Sequence, residues 1–280
     1  MAYTAQVNSE TPACIVLLVD QSRSMDQLFG GKTAHGYAKK KKDAVAEAVN
    51  GLLRTVIASS RRGAEVKNYF QVSVIGYGQR VGSAFKGPLE GATHVSVQEL
   101  FAHPWRREEV TEREVDAGRL YEWTSVVDTY IDPVANGGTP MGTALVQADR
   151  IVESWLTAHA RSYPPVVFNV TDGEADNGDD PFSPAMAIQG HAGEDGAALL
   201  FNIHISSTTE RPVLFPDDDV KLPDDYSQLL YSMSSPLPDE VRERARGLHY
   251  HINDNARGFA YHAEMTDLFQ FFNLGTPRPQ

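Results

Sequence analysis

Four short runs punctuate this chain: CIVLLVD (14–20), YFQVSVIGY (69–77), PVVFNVTD (165–172) and ALLFNIHIS (198–206). Each is almost continuously apolar and lacks the alternation of a strand with one wet face. Such runs are expected at the centre of a parallel sheet, buried on both sides. The segments between them carry a helical period. In 39–60, Val45, Ala48, Val49, Leu52, Leu53, Val56 and Ile57 recur at steps of three and four; in 139–160, Met141, Ala144, Leu145, Ala148, Ile151, Val152 and Trp155 do the same. Further helices are expected at 238–247 and around Met265, Leu268, Phe269 and Phe272. Strands alternating with helices define the α/β class, with a doubly wound, mostly parallel sheet flanked by helices.

Two stretches break the alternation. Residues 79–136 contain a hairpin candidate (His94 to Leu100), the mixed-charge segment RREEVTEREVDAGR and then YEWTSVVDTYIDPV. Residues 207–236 are rich in Pro and Asp. No repeat or linker interrupts the chain, so 1–280 is read as one domain with elaborations at about 79–136 and 207–260. The formal charge of −12 argues against a general nucleic-acid binder, which usually needs a basic face. The single cysteine, Cys14, has no internal disulfide partner and reads as a small buried strand residue. Without a signal-like N-terminal segment or a run of about 20 apolar residues, the expected location is cytoplasmic.

The chemistry-bearing residues collect at strand ends. Asp20 closes the first run in D-Q-S-R-S, followed by Ser22 and Ser24; Asp172 closes the third in T-D-G; Thr139 in GGTPMG opens the intervening helix. In open α/β sheets, ligands bind beyond the carboxyl ends of strands, where the winding reverses. Singly, each residue has a plain structural reading. Thr139 before Pro140 suits a helix N-cap, Ser22 or Ser24 suits another, Asp172-Gly173 suits a turn, and Asp20 can simply end its strand. Jointly, two carboxylates and three hydroxyls suit a hard divalent cation such as Mg²⁺, which takes oxygen ligands and retains several waters.

This set resembles the metal-ion-dependent adhesion site of von Willebrand factor type A (vWA) domains, whose fold is Rossmann-like. Asp20, Ser22 and Ser24 match its Asp-x-Ser-x-Ser element, Thr139 its threonine and Asp172 its later aspartate. The resemblance implies direct coordination by Ser22 and Ser24, and by Thr139 in some states, with Asp20 and Asp172 acting mainly through metal-bound water. GGTPMG, TDGEADNGDD and RGFAYHAEMTDLFQFF are similar to bacterial intracellular members that accompany MoxR-type AAA ATPases or the kinase and phosphatase modules of tellurite-resistance, stress or defence systems.

Competing motifs are incomplete. GGKT at 30–33 has Asp26 where a P-loop needs its first glycine. A haloacid-dehalogenase-like phosphatase needs a carboxylate where Ser22 stands, and a serine hydrolase needs a G-x-S-x-G elbow. No HExxH or Cys/His cluster suggests zinc, and His204 reads as a packed strand residue. DGEADNGDD has Asn177 and Ser183 at the sixth and twelfth positions, where a calcium loop has Gly and Glu, and reads as a solvated acidic loop beside the site. Lys39 to Lys42 read as a solvated helix start, and Trp105, Tyr121 and Trp123 as either interface anchors or buried packing.

The expectation is therefore a non-enzymatic module that binds a protein partner through Mg²⁺, with Mn²⁺ also compatible and Ca²⁺ less so. An Asp or Glu of the partner completes the ion's coordination, and loops 25–37, 79–136 and 173–196 set specificity. No nucleic acid or membrane is involved. The alternative is a metal-dependent hydrolase or phosphotransferase, with Glu174 or Asp176 as its general base.

Overall fold

In the computed structural model all four apolar runs are strands, and they form the middle of one sheet. It describes residues 3–30, 39–116, 119–208, 211–217 and 221–279. Positions 31–38, which carry the last three residues of GGKT and most of loop 25–37, lie outside the described residues.

Strand β1 (Ala13–Asp20) leads through a 3-10 turn at Arg23–Asp26 to helix α1 (Lys41–Ser59). Strand β2 (Phe70–Tyr77) folds back into β3 (Val81–Ser83); β4 (Val95–Ser96) and α2 (Val97–Ala102) follow. A ribbon of β5 (Arg106–Asp116) and β6 (Arg119–Thr129) precedes α3 (Met141–Ala158). Then come β7 (Val166–Thr171), α4 (Phe182–Gly190) and β8 (Leu199–Ile205). The chain ends with β9 (Val213–Leu214), α5 (Asp225–Ser232), α6 (Asp239–Gly247), β10 (Phe259–Ala263) and α7 (Met265–Gly275).

The sheet has eight strands in the order β9-β10-β8-β7-β1-β2-β3, with β4 also paired to β2. Its inner five strands are parallel, and β3, β4 and β9 are antiparallel additions at the edges. This is the mixed α/β, doubly wound arrangement that the alternation predicts. The period of two along β1 divides the core. Ile15, Leu17 and Val19 face a layer with α1 and α7; Cys14, Val16 and Leu18 face the layer with α3 and α4. Among the described residues no helix is long and apolar enough to cross a membrane.

The structure corrects two local expectations and gives form to a segment that carried none. His94 to Leu100 is not a hairpin: Val95–Ser96 pairs with β2, and Ser96 then caps α2. Ser96 N donates to Glu99 Oε2 at 2.8 Å while Glu99 N donates to Ser96 Oγ at 3.2 Å, so two helix-start N–H groups are satisfied reciprocally. Arg106–Asp116 of the mixed-charge segment forms one strand of a long two-stranded ribbon off the main sheet. Tyr121 and Trp123 on it are 48% and 42% exposed, whereas the Trp105 ring is covered by the Arg106 guanidinium, 3.7 Å from its centroid. Asn50 of α1 roots the ribbon, accepting the Tyr130 and Ile131 N–H groups and donating to the Ile131 carbonyl. Finally, Lys39 to Lys42 are not all solvated: Lys41 is 3% exposed.

Candidate functional site

Strands β1 and β7 are parallel neighbours, and their carboxyl ends bring Asp20 and Thr171–Asp172 together. Asp20 is 1% exposed. Its Oδ1 accepts the Ser22 N–H at 2.8 Å, and its Oδ2 accepts the Thr171 hydroxyl at 2.8 Å. Burial pushes its carboxyl up to about 6; hydrogen bonds from Ser22 and Thr171 oppose this, and the Asp172 charge adds to it.

A chain of contacts continues outward. Ser22 Oγ lies 2.8 Å from Ser24 Oγ, and Ser24 Oγ donates to Asp172 Oδ1 at 2.6 Å. The other Asp172 oxygen accepts from Lys41 Nζ at 2.7 Å, in a pair whose side chains are 4% and 0% exposed. Ser22 precedes the 3-10 turn but makes no side-chain capping bond, so the two serines serve the carboxylates instead of a helix.

The Thr139 loop abuts the same edge through its backbone. Asn136 N donates to the Gln21 carbonyl at 2.6 Å, and Arg23 N to the Gly137 carbonyl at 3.3 Å. Gly137 sits at φ 81°, and a Cβ there would meet the Gln79 backbone N at 2.2 Å, so only glycine fits this approach. Thr139 is 7% exposed but does not cap α3; Pro140 holds the N-cap position without a side-chain bond. The cap comes from the acidic loop after β7. Asp179 Oδ2 accepts the Gly142 N–H at 2.5 Å, and its Oδ1 accepts the N–H and hydroxyl of Thr143. Asp176 Oδ1 accepts the Thr139 N–H at 2.9 Å while Asp176 N donates to the Thr139 carbonyl at 3.1 Å. The acidic loop is largely exposed, as expected, and is also a clamp that sets where Thr139 stands.

Asp20, Ser22, Ser24 and Asp172 thus form one hydrogen-bonded cluster, with Thr139 on the loop bound against it. Sequence reasoning missed Lys41, Thr171 and Asp179, and named Asp176 only as a general base for the hydrolase alternative. Lys41 had a usable signal: it lies four residues before Val45 and seven before Ala48, on the buried face of α1. Thr171 was readable only as the strand residue before Asp172, and the two clamp aspartates carried no local signal for so distant a cap. His204 is a packed residue of β8, stacked on Tyr261 with ring centroids 4.6 Å apart. Burial, with smaller contributions from His262 and Lys41, pushes its imidazole down to about 3.

The donor set fits a hard divalent ion. All its donor atoms are carboxylate or hydroxyl oxygens, and adjacent ligands of an octahedral Mg²⁺ stand about 2.9 Å apart. The Ser22–Ser24 separation, 2.8 Å, is close to that, and the Ser24 hydroxyl donates to Asp172 behind it. Among the described residues no group of three or more His, Cys, Asp or Glu side chains is placed to hold a metal, so hydroxyls are needed to build the set.

No family model matches this chain, and no curated protein matches it. Among solved structures it is similar to proximal thread matrix protein 1 from the mussel byssus, at 15% identity and TM-score 0.45, covering 97% of this chain and 48% of that one. It is also similar to the vWF domain of the type V pili tip protein Mfa5 from Porphyromonas gingivalis (12% identity, TM-score 0.32, 59% and 39% covered). A third is the pilus adhesin RrgA from Streptococcus pneumoniae (16% identity, TM-score 0.30, 61% and 21% covered). The chain spans about half the length of the first of these and less of the others. Superpositions this loose assign neither a family nor a function.

Proposed function

We propose that this chain is a vWA-like, divalent-metal-dependent protein-interaction module, with Mg²⁺ as its ion and no catalytic turnover. The observation that carries the reading is the hydrogen-bonded run Ser22–Ser24–Asp172 beside buried Asp20, at the sheet edge where the winding reverses. Ser22, Ser24 and Thr139 would hold the ion directly, and Asp20 and Asp172 would act from behind through water. When bound, the ion supplies a compact positive charge with a position open to an Asp or Glu of the partner. Asp20 and Thr171 hold the Ser22 backbone and the β7 end in register. Asp176 and Asp179 keep the Thr139 loop against the cluster. Lys41 neutralises one of the two carboxylates, which leaves the ion's charge less compensated and favours an acidic partner. A MoxR-type AAA ATPase, or a kinase or phosphatase module, is the partner class proposed. The hydrolase alternative has less to draw on, because Asp176 is engaged with the Thr139 backbone.

The test is a Mg²⁺ titration by calorimetry on chelator-stripped wild type, Asp20→Ala and the Ser22→Ala plus Ser24→Ala variant, with and without acetate as a stand-in for the partner's carboxylate. Saturable binding that is lost in both variants and strengthened by acetate is expected. A double-serine variant that binds as wild type does would overturn the site.

A further inference from the structure

A concavity lies away from the metal cluster, between the β2–β3 edge and the C-terminal half of α3, with a volume of about 560 Å³. That is within the range of small-molecule sites, roughly 300–1,000 Å³. Its apolar wall is made by Val74 and Ile75 of β2 and Ile151 and Trp155 of α3. The His159 ring stacks on Trp155 with centroids 3.8 Å apart, and His94 meets the same indole at 5.6 Å. Trp155 is 3% exposed, so the wall is held rigidly by packing on both sides.

Its charge is unlike the rest of the molecule. The chain carries −12 overall, yet no Asp or Glu is among the described residues that line this cleft. The full charge there is Arg150, at an exposed position of α3, and no carboxylate among the described residues pairs with it. Its neighbour Asp149 is engaged by His191 at 2.8 Å instead. Polar groups at the rim, Thr93, Gln147 and Ser154, offer further hydrogen bonds. An apolar slot with a single cation at its mouth suits a flat apolar body that ends in an anion, because a guanidinium binds a carboxylate in a forked, charge-assisted geometry.

We propose that the cleft between β2–β3 and α3 is a binding site for a small aromatic carboxylate, its ring against Ile75, Ile151 and His159 and its carboxylate on Arg150. The site is independent of the metal cluster and does not rest on the proposed interaction function.

The probe is 2-naphthoate, titrated by calorimetry into the full chain in the presence of chelator, with neutral 2-naphthamide alongside. Saturable one-to-one binding is expected for the carboxylate. Arg150→Gln should weaken it about tenfold, the loss of about 1.4 kcal/mol from one charge-assisted contact, and the amide should bind wild type as weakly as the acid binds that variant. Ser154→Trp, at an exposed rim position where a large side chain does not disturb the core, should abolish binding with an unchanged melting temperature. Failure of 2-naphthoate to saturate, or binding that survives Ser154→Trp, would overturn the site. Equal affinity for acid and amide would overturn the role of Arg150.

Discussion

Replacing Lys41 with methionine isolates the charge balance of the cluster. Methionine keeps most of the side-chain volume and removes the ammonium that stands 2.7 Å from Asp172 Oδ2. Both side chains of that pair are almost completely shielded, at 4% and 0% exposure, so solvent cannot replace the lost partner. Removing one member of a buried pair costs about 3–5 kcal/mol, because the remaining charge is left uncompensated. For a chain of this size about 1 kcal/mol moves the melting temperature by about 2 °C, so a fall of about 6–10 °C is expected in chelator. A divalent ion would restore positive charge beside Asp172. Ligand at a hundred times its dissociation constant stabilises by about 2.7 kcal/mol, and the variant should bind the ion more tightly than wild type does. The gap between the two proteins should therefore shrink as Mg²⁺ rises. Scanning calorimetry with chelator and across a Mg²⁺ series measures it. A variant that melts within 1 °C of wild type in chelator, or two melting temperatures that climb in parallel with Mg²⁺, would refute the reasoning.

Three further outcomes are expected. Asp179→Ala removes acceptors from Gly142, Thr143 and the Thr143 hydroxyl, and should cost about 1–2 kcal/mol by urea unfolding while lowering Mg²⁺ affinity through the Thr139 loop; unchanged stability would show that the clamp is dispensable. His204 is held neutral by burial, so as pH falls the unfolded chain takes up its proton near 6.5, before the folded chain does near 3. Its contribution to stability is accordingly whole above pH 6.5, declines by roughly 5 kcal/mol on the way to pH 3 and levels off below that; His204→Phe should flatten this slope in pH-dependent unfolding. Tyr121→Ala and Trp123→Ala, on the exposed faces of the ribbon, should each change stability by no more than about 0.5 kcal/mol, and a larger loss would mean that the ribbon packs on something in solution.

What could be read along the chain was whatever depends on neighbours in sequence. The continuous apolar runs marked the inner strands because residues buried on both faces lose the alternation of two, and the three- and four-residue steps marked α1 and α3 because one helical stripe meets the sheet. Asp20, Ser22 and Ser24 are two residues apart, so their convergence was legible as a motif, and doubly wound topology accounts for why Asp172 should join them. Two errors passed over local signals, the Ser96–Glu99 capping box and the helical position of Lys41; the others were long-range. Ser96 and Glu99 wrote a capping box into a segment read as a hairpin, although the pairing of Val95 with β2 was what placed it. Lys41 looked solvated within four lysines until packing chose which of them faces inward against Asp172. Asp176 and Asp179 looked like a charged loop until the crossover from β7 returned them to the start of α3. Only the tertiary structure decided these contacts, and the carboxylate-free cleft with them. A side chain's charge is local, but its burial and its partner depend on which distant segments the sheet order brings beside it.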